Sequence, residues 1–188
     1  MTVDEIYSRL AAHMIKGMMI HDNLANYYDF LGLKGYKRCH EYHFLAETCS
    51  FRRLNRYFIN HHNKLIPDAE IDTPQVIPES WFRVTRFDVD SAMKKSAIRN
   101  GLTMWHNWEK ETKQLYEQMY KELMNIGEVA SASFVDCLVL GVTHELKTVE
   151  RYMLNKMAID FDLSVIIPEQ KEMHDKYKCM AKDVGGSI

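Results

Sequence analysis

The sequence has no C-x-x-C pair. Its four cysteines, Cys39, Cys49, Cys137 and Cys179, are scattered. That removes the basis for a disulfide framework, a zinc site or a rubredoxin-type sulfur site, and fits reduced thiols in a cytoplasmic protein. Proline is scarce. Three of the four, Pro67, Pro74 and Pro78, fall within twelve positions, so little breaks helices elsewhere. No window approaches 18 uninterrupted apolar residues, which argues against a spanning helix. Met1 to Arg9 lacks the basic region and apolar run of a signal peptide. Charge of one sign is also missing: 24 Lys+Arg against 26 Asp+Glu leave a net charge of -2, no global attraction for nucleic acid or an anionic membrane. No glycine-rich phosphate loop follows a strand, and no serine or cysteine has a nearby base of hydrolase type.

What the chain does have is helical period, histidine and methionine. Its 188 residues suffice for one well-packed domain, and the whole chain, residues 1–188, reads as one. Ile6, Leu10, Met14, Gly17, Ile20, Leu24, Tyr28 and Leu31 recur at helical spacings and predict a first helix over residues 3–31. Gly32 to Gly35 is a plausible stop and reversal. A second helix runs from Gly35 to Leu65, with the stripe Phe44, Phe51, Leu54 and Phe58. The proline-rich stretch 66–88 has no helical period and reads as a crossover, which makes helices two and three parallel. The third helix begins near Asp88 to Ser91 and ends near Ile126. The fourth covers Glu128 to Lys156, after Gly127. A short final helix, 168–182, has Pro168 as its first residue, and a loose tail follows from Gly185 to Ile188.

Polar residues interrupt these apolar stripes. Glu47 sits on the stripe of the second helix, His43 one turn earlier and His40 a turn before that; Glu145 sits mid-stripe on the fourth. A carboxylate facing a core is costly unless something charged or hydrogen-bonding meets it. Reflection about a turn centred near residue 34 places His21 opposite Glu47, and reflection about Gly127 places Glu109 opposite Glu145. Four helices thus each bring a potential ligand to one level. Carboxylates and imidazoles in that arrangement suit a divalent metal, one or two iron or manganese ions. The candidate ligands are His21, His43, Glu47, Glu109 and Glu145, with His106 and His144 in reserve. The plainer reading makes each histidine a packing residue and pairs Glu47 with Arg52, Arg53 or Arg56. Tyr27, Tyr28 and Tyr57 read as packing, and the methionines as core filler.

Two antiparallel helices, a long crossover, two more antiparallel helices and a short fifth resemble the ferritin-like superfamily over roughly residues 3–182. In ferritins the second and often the fourth helix carry Glu-x-x-His, with further glutamates on the first and third. Here the second helix offers Glu47-Thr48-Cys49-Ser50 and the fourth Glu145-Leu146-Lys147-Thr148, and the first offers His21 in place of a glutamate. The glutamates match by position and the histidines do not; His43 and His106 would replace them from the other side.

The resemblance implies an all-α, antiparallel four-helix bundle binding iron or manganese at its centre, for oxidation, storage or peroxide protection, with ferroxidase or di-metal oxidase activity as the enzymatic form. Exposed aromatics in the crossover, Trp81 and Phe82, point to a homo-oligomer. The alternative is a metal-free helical bundle, an assembly or interaction protein with a structural polar network in its core.

Overall fold

In the computed structural model, which describes residues 1–185, Thr2 opens the first helix with a reciprocal capping box. The Thr2 hydroxyl accepts from the Glu5 amide at 3.3 Å and the Glu5 carboxylate accepts from the Thr2 amide at 2.7 Å. This helix, α1, spans Val3–Phe30, and every residue of its expected stripe is buried. Gly32, at φ +73°, takes the left-handed turn that a side chain would oppose. α2 follows over Lys34–His62, α3 over Ser91–Asn125, α4 over Val129–Ala158 and α5 over Leu163–Gly185. Gly127, at φ +80°, makes the corresponding turn between α3 and α4. Asp90 caps α3 by accepting from the Met93 amide at 2.7 Å. Among the described residues there is no strand, and the fold is the expected all-α bundle with a long crossover.

Contacts across the bundle fix the directions. His13 meets Thr112, His21 approaches Glu109, and the Tyr28 hydroxyl donates to the Ala97 carbonyl, so α1 and α3 are antiparallel and α2 runs parallel to α3. Tyr57 stacks on Phe134 and His43 approaches Glu145, so α2 and α4 are antiparallel.

The buried apolar residues form two clusters. One, near the α1–α2 turn, includes Leu24, Tyr28, Tyr36, Trp105, Trp108 and Val149; the other, near the α3–α4 turn, includes Leu10, Met14, Phe58, Tyr116, Met119 and Val135. Each large side chain taken fully out of water contributes about 1.5–3 kcal/mol. Between the clusters lies a layer of buried polar groups: His21, His40, His43, Glu109 and Thr112.

Three sequence expectations shift. The final helix starts at Leu163, not at Pro168, because Asp162 accepts from the Ser164 amide at 2.9 Å and caps it there. Pro168 lies within its second turn, forfeiting one backbone bond near the helix start. The buried face of α2 begins with Tyr36, Cys39, His40 and His43, whereas Phe44 and Phe51 are half-buried. Trp81 is not an exposed aromatic; it packs edge-on against Tyr27 at 5.1 Å, leaving Phe82 and Phe87 in solvent. Residues 186–188 of the expected loose tail lie outside the described residues.

α4 also qualifies the reading of apolar runs. Averaged over its most apolar 18 residues its mean hydropathy reaches 1.3, long and apolar enough to cross a membrane, with 28% of that window buried in the bundle. Here it packs along α3.

α5 runs parallel to the first half of α2. α2 has no capping side chain of its own, and α5 supplies one: Gln170 Oε1 accepts from the amides of Gly35 and Tyr36 at 2.9 and 3.2 Å. The Lys156–Glu169 ion pair and the buried Tyr177, whose hydroxyl lies 3.3 Å from that of Tyr152, tie α5 to α4.

Candidate functional site

The polar layer is built by register. On α2, residues 40, 43 and 47 lie on one helical face. On α3, Glu109 follows Trp105 by one turn, and the Trp105 indole N–H donates to Glu109 Oε1 at 2.8 Å. α4 contributes Glu145, about one-third exposed, whose Oε2 lies 3.7 Å from His43 Nδ1. Glu47, Glu109, Glu145 and His43 line one cavity of about 120 Å³, together with Thr112 and Tyr116.

Opposite Glu47, on α1, stands Gly17. A Cβ there would lie 3.2 Å from Glu47 Oε1 and 3.0 Å from Trp108 Cζ2. His21 instead faces His40 and His43, with ring centroids 5.2 Å from each. The short turn is centred at Gly32, two residues before the position that the sequence suggests, and a two-residue shift of a mirror moves its image by four, one helical turn.

Burial sets the electrostatics. It pushes the Glu47 carboxyl up to about 8, assisted by repulsion from Glu145 and opposed by His43. Burial also holds Glu109 well above the usual carboxylate range; Glu145 and Glu47 add repulsion, while His43 and the Trp105 N–H pull the other way. His21 and His40 are held well below the ordinary imidazole range, first by burial and then by neighbouring imidazoles. For His43 burial acts downward too, but Cys39 and Glu145 outweigh it and hold its imidazole above the ordinary value. Tyr116 is raised by burial and by the three glutamates.

Hydrogen bonding leaves atoms over. His21 Nδ1 and His40 Nδ1 are 3.0 Å apart, so one carries a proton there and the other presents a lone pair. The Nε2 atoms of His21, His40 and His43 are all buried without a hydrogen-bond partner, though His21 Nε2 is 3.9 Å from Glu109 Oε1. As the side chains stand, no group of three His, Cys, Asp or Glu residues among the described residues is placed to hold a metal ion.

The five candidate residues therefore share one layer: Glu47, Glu109, Glu145 and His43 on the cavity, and His21 beside Glu109. The reserves lie elsewhere. His106 approaches Glu150 at 3.6 Å on the bundle's side, and His144 is exposed. Arg52, Arg53 and Arg56 are exposed; Arg53 lines the outer part of the cavity and extends over the Phe134 ring at 6.0 Å. Tyr28 stacks on His40 at 5.4 Å, whereas Tyr57 sits at the far end of the bundle against His61 and Phe134. Sequence reasoning noted His40 a turn before His43 but did not count it among the candidate ligands. It also left out Trp105 and Tyr116, whose partners are set by tertiary contact.

A further histidine, the half-buried His13, bonds outside this layer. Thr112 donates its hydroxyl proton to the Trp108 carbonyl at 2.9 Å, so His13 Nε2, 2.8 Å from Thr112 Oγ1, is the donor there. Its ring stacks on Trp108 at 4.1 Å, and burial lowers its imidazole to about 4.

No family model and no curated protein matches the sequence. Solved structures do match. A humanized archaeal ferritin aligns with a TM-score of 0.75 at 16% identity, over 91% of this chain and 94% of that one. A closed form of the Archaeoglobus fulgidus ferritin, engineered by site-directed mutagenesis, aligns at 0.75 and 13% identity, over 93% and 96% of the two chains. An open-pore ferritin from the same hyperthermophilic archaeon aligns at 0.74 and 14%, over 90% and 93%. At these identities the likeness is one of architecture, and it covers nearly the whole of both chains: the chain has a divergent ferritin-like fold.

Proposed function

We propose that the polar layer is a divalent-metal site for iron or manganese, one or two ions, in a cytoplasmic ferritin-like protein that forms homo-oligomers. One observation carries the reading: three carboxylates from three helices, Glu47, Glu109 and Glu145, line a single cavity whose only lysine or arginine among the described residues is Arg53, exposed at its outer part. Like charges so placed must either take up protons or share a cation. The donor chemistry fits a metal. Glu47, Glu109 and Glu145 would supply negative charge, and His21 and, once a cation displaces its proton, His43 would supply neutral nitrogen, each with a buried Nε2 that has no hydrogen-bond partner. The side chains would turn into the cavity, where there is room for several waters. A bound ion would supply redox chemistry towards oxygen or peroxide. The chain's own part is to hold charge at one point, to brace Glu109 through Trp105, and to seal both ends of the site with apolar clusters.

Elemental analysis of untagged protein from iron- or manganese-supplemented culture tests this, with Glu47→Ala as control. About one or two ions per chain, the number that such a carboxylate set neutralises, lost in the variant, is the expected result. No metal in either protein, and none rebound, overturns it.

A second reading is favoured by Gly17 facing Glu47, where the resemblance implies an acid on the first helix, and by the Trp105–Glu109 bond. The layer is then a protonated, metal-free structural network in an assembly or interaction protein. Added manganese would leave its melting temperature unchanged.

A further inference from the structure

Glu109 lies deep in the bundle with the half-buried Glu47 beside it, and most approaches to them are closed. The two apolar clusters fill the ends. α5 covers the first half of α2 through Gln170 and Tyr177, and the crossover lies against α1 and α3 through Val76 and Trp81. The remaining side is the seam between α2 and α4. These helices touch where Tyr57 stacks on Phe134 at 4.3 Å and again where His43 meets Glu145. Between those two contacts the cavity reaches the surface, framed by Ser50 and Arg53 on α2 and by Cys137 and Gly141 on α4. Arg53, Cys137 and Gly141 are exposed, while Glu109, Thr112 and Val142 at the inner end are buried. A Cβ built on Gly141 meets no atom within 4 Å. The glycine is thus not needed for close packing or for an unusual backbone. The space beside it is open.

We propose that the α2–α4 seam, open beside Gly141, is a lateral portal through which a small cation passes from solvent directly to Glu47 and Glu109. Two features set its selectivity. The three glutamate carboxyls that line the interior can each exchange a proton for an entering cation, whereas Arg53 places one opposing charge at the rim. A neutral or anionic solute of equal size gains nothing from the glutamates. The inference rests on the metal-site reading for what the portal serves, but not for its existence, which is a property of the cavity and its rim.

A thiol placed at the inner end tests the portal without metal. Val142→Cys is made in a chain whose Cys49, Cys137 and Cys179 are serine, leaving only the buried Cys39 of the native thiols. The reagents are two methanethiosulfonates of similar size, one ending in ammonium and one in sulfonate. The folded protein is expected to react, the cationic reagent faster by about tenfold or more, and Gly141→Trp to slow it by a similar factor. Ser50→Phe, closing the rim from α2, should do the same, and Arg53→Gln should speed the cationic reagent. Unchanged melting temperatures exclude a folding effect. Reaction that is indifferent to Gly141→Trp and Ser50→Phe, or limited by global unfolding, overturns the portal. Equal rates for the two reagents overturn its preference for cations. Uptake of Mn²⁺ followed by electron paramagnetic resonance separates the two readings: a gated thiol with no Mn²⁺ bound retains the portal and removes the metal site. Mn²⁺ bound at the wild-type rate in both rim variants does the reverse.

Discussion

Gly17 lies directly against Glu47, close enough that any side chain on α1 at that point would press on the carboxylate. The glutamate reaches the bare backbone of the neighbouring helix because nothing stands in its way. Gly17→Ala puts a methyl 3.0 Å from Trp108 Cζ2 and 3.2 Å from Glu47 Oε1. Trp108 is backed by His13 and cannot withdraw, so the carboxylate must move. Overpacking costs about 1–3 kcal/mol and alanine returns about 1 kcal/mol of helix propensity. The expected net result is a loss of about 1 kcal/mol in chemical denaturation, with weaker binding of any cation at the cavity.

Glu47→Gln has the opposite sign in metal-free protein. The Glu47 carboxyl titrates near 8 in the fold, against 4.5 for the free group. Between those values the folded state holds a proton that the unfolded state releases, so stability falls as pH rises through this window. Glutamine does not titrate. The variant should gain on the wild type by up to a few kcal/mol as pH is raised from about 5 to 8, measured by urea unfolding with chelator present. A pH-independent difference would show that Glu47 is not desolvated.

His13 supplies a separate acid effect. Its imidazole is lowered to about 4, so between 6.5 and 4 the unfolded chain binds a proton that the folded chain refuses. Stability linked to His13 is complete above 6.5 and declines as pH falls towards 4. The wild type should lose about 3 kcal/mol more than His13→Gln across that window. The comparison between the two proteins cancels the other titrating groups.

The end of α2 nearest α5 is expected to be sensitive at two residues. Gln170→Ala leaves two α2 amides without their acceptor and should cost about 1 kcal/mol, the usual worth of a cap. Gly35→Ala is more damaging. Its Cβ would lie 2.7 Å from the Gln170 carbonyl oxygen, a backbone atom that cannot swing aside, so α5 must lift. Limited proteolysis should then cut α5 away from the bundle in Gly35→Ala and much less readily in Gln170→Ala.

Much of the fold was legible because α1 and α3 carry clean helical stripes and because Gly32 and Gly127 mark turns that only a left-handed residue closes well. The level of the polar layer was legible from counting along those helices. What was not legible follows from physical causes. A mirror placed two residues off exchanges Gly17 for His21 across from Glu47. The start of α5 depends on Asp162 acting as a cap, a weaker cue than Pro168 in the same stretch. The Trp105–Glu109 bond and the stacking of Tyr28 on His40 are rotamer choices made by tertiary packing, and neither spacing nor composition encodes them.

The polar layer divides the apolar core in two, and that division has a bearing on cooperativity. With no continuous apolar column, a packing defect at one end is poorly felt at the other, and each end becomes its own unit of opening. The ends are unequal. The α1–α2 turn is clasped by both α5 and the crossover, whereas the α3–α4 turn ends on exposed Met124, Ile126 and Val129. Native-state hydrogen exchange should therefore run faster near residues 55–62 and 120–135 than near 24–40, so the bundle breathes from its unclasped end while the histidine layer stays shut.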